Sequence, residues 1–105
     1  MTVGKVETIQ LEQLALFKSL AVEQSLRLMR KDAELEEIRF LHRLKPFKLE
    51  VQLKLLVENG FDPTAEGLVE MERSIAAHMA STPAVGTRGK DLMRLIMGEI
   101  WPDAA

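Results

Sequence analysis

A chain of 105 residues, with 47% hydrophobic and 29% charged side chains, has the size of one domain and a composition unlike that of a disordered polymer. The absence of cysteine excludes disulfides and thiolate metal sites and makes a reducing cytoplasm the expected compartment. No apolar run approaches the ~20 residues that span a bilayer, and a formal net charge of −2 exerts no overall pull towards nucleic acid or anionic lipid.

Residues 8–44 contain neither Pro nor Gly and are rich in Leu, Glu, Gln, Ala, Arg and Lys, which predicts a long helical arm. At 100° per residue, Ile9, Leu16, Phe17, Leu20, Leu28, Leu35 and Ile38 share one face. A second apolar strip collects Leu11, Val22, Leu26, Met29, Ala33, Phe40 and Leu44. If the arm breaks, the expected place is residues 30–32, with Asp32 capping a following helix. Unbroken, the arm would be ~55 Å long. Either it folds back on itself, or a second copy covers it as a homodimer.

Pro46 is expected to end the arm or open the next helix, and residues 46–101 to form the compact helical part of a single domain. A short apolar helix over 48–58 should stop at Asn59-Gly60, with Phe61 packing back. Asp62 as cap and Pro63 at the first helical position restart the chain towards residue 80. Residues 81–90, with Pro83, Gly86 and Gly89, read as a loop, and a last helix runs from about 91 to 101, stopped by Pro102. No alternating run marks a strand. The expected fold class is all-α: a bundle of four or five helices with a long N-terminal segment.

His42 and His78 lack the carboxylate one turn earlier that a metal site in a bundle uses, because positions 39 and 75 hold Arg and Ile. With no nucleophile motif in view, no catalytic residue, metal or cofactor is expected, and the chain does not read as an enzyme. The segment Gly86-Thr87-Arg88-Gly89-Lys90 has the ingredients of an anion contact: glycines that admit backbone amides and two cationic side chains. A Walker-type loop fails, since Ala84 and Asp91 stand where glycine and a hydroxyl residue are needed. Over some ten residues, with Leu92 and Leu95 following, the Gly-x-x-Gly pattern resembles the local motif of KH-type RNA-binding domains. That fold requires a β-sheet, which this sequence does not offer. A helix-turn-helix over residues 48–79 would present Glu66, Glu70 and Glu72 to DNA phosphates, so a helical hairpin is the better expectation.

Arg39, Arg43, Lys45 and Lys48 form a basic cluster suited either to a solvated helix end or to an acidic partner, such as the 63–80 helix of a neighbouring copy. Met93 and Met97, one turn apart near Trp101, suggest an adaptable helix-binding groove. The expectation is a non-catalytic, self-associating protein–protein interaction module working through Leu16, Leu20, Leu28, Leu35, Ile38, Met93, Met97 and Trp101. The alternative is a nucleic-acid-binding regulator using Gly86, Arg88, Gly89 and Lys90 with Arg39 and Arg43.

Overall fold

Five α-helices and a 3-10 turn carry the chain in the computed structural model, which describes residues 1–101. They are α1 (Val3–Lys18), α2 (Leu20–Asp32), α3 (Glu37–Glu58), α4 (Ala65–Ala76) and α5 (Pro83–Met97), with the 3-10 turn over Gly98–Ile100. The all-α class is as expected, and no strand occurs among the described residues. The expected stop at Pro102 lies outside them.

The expected arm over 8–44 is three helices. The first break falls at Ser19, whose backbone is extended (φ −60°, ψ 144°). Its amide and its hydroxyl both donate to the Leu16 carbonyl, at 3.3 and 2.8 Å. A serine that satisfies its hydroxyl on the preceding turn offers the backbone an alternative to continuing the helix. The second break replaces the one expected at 30–32. Asp32 is the last residue of α2 rather than a cap, and Glu34 and Leu35 both take left-handed backbone, φ 55° and 58°. Glu36 caps α3: its carboxylate accepts from the amides of Ile38 (3.3 Å) and Arg39 (2.8 Å), where negative charge suits the helix dipole. The arm folds back on itself, and the molecule measures 39 × 32 × 23 Å.

Pro46 does not end a helix either. It lies inside α3, so the expected 48–58 helix is the second half of a 22-residue one. Proline there removes the amide that would bond the His42 carbonyl. The stop at Asn59-Gly60 is as expected: Gly60 has φ 80°, the Phe61 amide donates to the Leu56 carbonyl at 2.9 Å, and Phe61 packs on the core. The restart differs. Thr64, not Asp62, caps α4, its hydroxyl accepting from the Gly67 amide at 3.1 Å, and α4 ends at Ala76 instead of residue 80. The expected 81–90 loop is the first half of α5, which starts at Pro83. Proline at the first helical position costs no hydrogen bond. Gly86 and Gly89 sit where the Met79 carbonyl and thioether crowd the helix: a Cβ would stand 3.4 Å from that oxygen and 2.6 Å from Met79 Cε respectively.

Two apolar clusters form the core. Val6, Ile9, Leu55, Leu56, Leu68, Met71, Ile75 and Val85 make the first. Phe17, Leu26, Ala33, Phe40, Leu44, Ile96 and Met97 make the second, and Leu16 packs against both. Burying each large side chain contributes roughly 1.5–3 kcal/mol. Along the buried stripe of α1, Gln10 and Gln13 stand between Ile9 of one cluster and Phe17 of the other. Gln10 Nε2 donates to the Val85 carbonyl (2.9 Å) and Gln13 Nε2 to Gln52 Oε1 (3.0 Å), so these buried amides fix α1 against α5 and α3.

Candidate interaction surfaces

The break at Ser19 changes which apolar strip is buried. Beyond it the second strip fills the core, with Leu26, Ala33, Phe40 and Leu44 all buried. The first strip faces water: Leu20 is 69% exposed, Leu28 61%, Leu35 50% and Ile38 66%. Leu28 and Leu35 line one open groove of about 600 Å³ together with Arg27, Lys31, Glu34 and Glu99. The left-handed backbone at Glu34 and Leu35 places Leu35 at this rim rather than in the helix that its sequence favours. Glu99 was not singled out in the sequence, and no local signal points to it, since the 3-10 turn reaches α2 only through tertiary packing.

A second groove, of about 630 Å³, runs along α5 and is lined by Met79, Pro83, Gly86, Gly89, Lys90, Met93 and Trp101 among others. Met93 and Trp101 therefore share a surface, as their spacing suggests. Met97 does not join them: it is buried in the second core cluster. Met79, partly exposed, completes this groove. A third groove, between α1 and α3, has an apolar floor of Ala15, Leu16, Val51 and Leu55 and a rim of Glu12, Lys54 and Glu58. Leu16 thus lies apart from Leu28 and Leu35.

The residues proposed for anion contact are dispersed and largely engaged. Gly86, Arg88, Gly89 and Lys90 lie within the helix, not in a loop that opens one. Arg88 turns inward: its Nε donates to Gln10 Oε1 at 2.9 Å, and its Nη2 lies 3.5 Å from Glu7. Arg39 and Arg43 sit 3.9 Å from Glu34 and 3.6 Å from Asp32. Lys48 meets Glu72 of α4 at 2.8 Å, so the acidic helix expected to dock from a neighbouring copy is bound within the same chain.

His42 is exposed on α3, and His78 Nε2 donates to the Met1 carbonyl oxygen at 2.9 Å. Among the described residues no three His, Asp or Glu side chains gather as a metal site, and no helix is long and apolar enough to cross a membrane. One functional-looking residue carries a structural duty instead. Arg30, buried to 6% exposure, donates from Nη1 to the Ile96 carbonyl at 2.9 Å, placing its charge on the C-terminal turn of α5. No family model matches the sequence, and neither a curated protein nor a solved structure matches the chain.

Proposed function

We propose that this protein is a small non-catalytic interaction module, a regulator, adaptor or accessory subunit that acts through helix packing and self-associates. The observation that carries this reading is the corner formed by α2 and the start of α3, where Leu20, Leu28, Leu35 and Ile38 are each half exposed or more. Isolated exposed leucines are ordinary, but several on adjoining elements, two of them lining one groove, mark a surface awaiting a partner. The groove of Met79, Met93 and Trp101 is a second docking surface on the same reading, since thioethers adapt and an aromatic anchors. A cysteine-free chain with apolar docking surfaces suits the cytoplasm. The nucleic-acid reading loses the loop it was built on, and Arg88 is turned to Glu7 and Gln10.

The test is affinity capture of the tagged protein from its native host, with and without nuclease, beside Leu28→Glu and Ile38→Glu variants that keep the wild-type helical circular dichroism. The expected result is one polypeptide in stoichiometric amount, a second copy or another chain, retained after nuclease and lost with either glutamate. Capture that vanishes with nuclease and ignores both glutamates would overturn the reading.

A further inference from the structure

We infer that the groove between α2 and the 3-10 turn is an interface with a second copy of this chain, related by a two-fold axis that runs along the groove floor. This rests on the interaction-module reading and names its partner. α2 supplies Arg27, Leu28 and Lys31, the turn after it supplies Glu34 and Leu35, and the 3-10 turn supplies Glu99. The lining is neutral overall, and its signs are segregated by element: both cations come from α2, and the carboxylates come from the turn after it and from the 3-10 turn.

Such a surface complements itself. In a two-fold interface the contact made by one patch with another is repeated in reverse. An axis along the floor sets α2 of one copy on the two acidic turns of the other and brings Leu28 against Leu35 of the partner subunit. A partner of a single charge sign, whether a nucleic acid or a basic or acidic peptide, would meet like charge on part of this lining, which is costly. Two further observations favour the second copy. Arg27 and Glu34 have companions on their own chain, Glu23 at 2.8 Å and Arg39 at 3.9 Å, while Lys31 and Glu99 make no ion pair among the described residues. Leu35 also holds φ 58°, a conformation unfavourable for a side chain with a Cβ, and does so half exposed. Backbone strain that turns a leucine towards water is explained when that leucine is buried by association.

Sedimentation equilibrium of the full chain at low salt tests this with Lys31→Glu, Glu99→Lys and the double variant, each checked for unchanged helical content. The wild type is expected to show a monomer–dimer equilibrium. Each single reversal opposes two pairs of like charges across the axis and should weaken the dimer roughly tenfold. The double variant re-pairs them and should return to within about threefold of wild type, as a coupled pair does. Three outcomes would overturn the inference: a wild type that stays monomeric at its solubility limit, a dimer indifferent to both reversals, or a double variant no tighter than the singles. A monomeric wild type would also remove self-association from the broader reading, whose interaction-module core stands if Leu28→Glu still abolishes capture of a different polypeptide. Failure of that capture sinks the module reading itself.

Discussion

The guanidinium of Arg30 occupies the space that a side chain on residue 98 would need: a Cβ built on Gly98 would stand 2.7 Å from Arg30 Cζ and Nε. Gly98 also has φ 51°, so both the backbone and the neighbour demand glycine. Gly98→Ala should lower stability by roughly 2–4 kcal/mol in urea unfolding, from strain plus displacement of a buried arginine. Arg30→Ala removes the bond to the Ile96 carbonyl and should cost about 2–3 kcal/mol by itself. Combined, the two should cost clearly less than their sum, because the clash disappears with the guanidinium. Additive losses would show that residue 98 suffers only from its backbone angle.

Gln13 and Gln52 form a second coupled pair, both almost wholly buried and 3.0 Å apart. Gln13→Leu leaves the Gln52 carbonyl oxygen without its donor and should cost about 1–3 kcal/mol. The double replacement by leucine should recover most of that, since neither polar group then remains buried without a partner. Chemical denaturation of the four proteins closes the cycle. A double variant as unstable as the sum would mean that the amides also set the shape of the α1–α3 contact.

Pro46 is exposed and interior to α3, where it withholds one hydrogen bond from the His42 carbonyl. Pro46→Ala should raise stability by about 1–2 kcal/mol, the helix-propensity gain less the extra freedom of the unfolded chain. Thermal unfolding would show this as a higher midpoint. A fall in midpoint would indicate that the proline sets a bend required by Phe40 and Leu44 at one end and Leu55 and Leu56 at the other.

Two helical glycines should respond oppositely to alanine. At Gly89 the obstacle is Met79 Cε, the far end of a flexible side chain, so Gly89→Ala should be neutral or stabilising by up to about 1 kcal/mol. At Gly67 the obstacle is the Asp62 carbonyl, which belongs to backbone and cannot rotate away, so Gly67→Ala should cost at least about 2 kcal/mol despite the better helix former. Melting both variants beside wild type decides it. Equal losses would contradict the packing of Met79 over α5.

What the sequence disclosed follows from which forces act locally. The helical class, the Asn59-Gly60 stop and the shared position of Met93 and Trp101 all rest on residue preference and spacing, and the structure has them. Ser19 did not announce itself as a break, because a serine bonds its preceding turn only where tertiary packing rewards the turn-away. Pro46, Pro83, Gly86 and Gly89 misled in the other direction. Their local cost is overridden by packing of Leu55 and Leu56 beyond the first, and by Met79 lying across the glycines. The sequence places Leu20, Leu28, Leu35 and Ile38 on one face of the arm at helical spacing. They reach the surface for another reason, namely that two breaks re-aim everything that follows. Glu99 joins Leu28 and Leu35 across 71 and 64 positions of the chain, beyond any periodic signal.

The bonds from Gln10 to Val85 and from Arg88 to Gln10 span 75 and 78 residues, and α1 packs chiefly against α5. During synthesis the first helix therefore emerges long before the element that covers it. Val6 and Ile9 pack with Leu55, Leu56, Leu68 and Val85 and are fully covered only once α5 is made, whereas Phe17 can pack earlier on Leu26, Ala33 and Phe40. Until α5 is made, the face of α1 that carries Val6 and Ile9 is open to wrong contacts, which makes the growing chain more vulnerable to aggregation than the folded one.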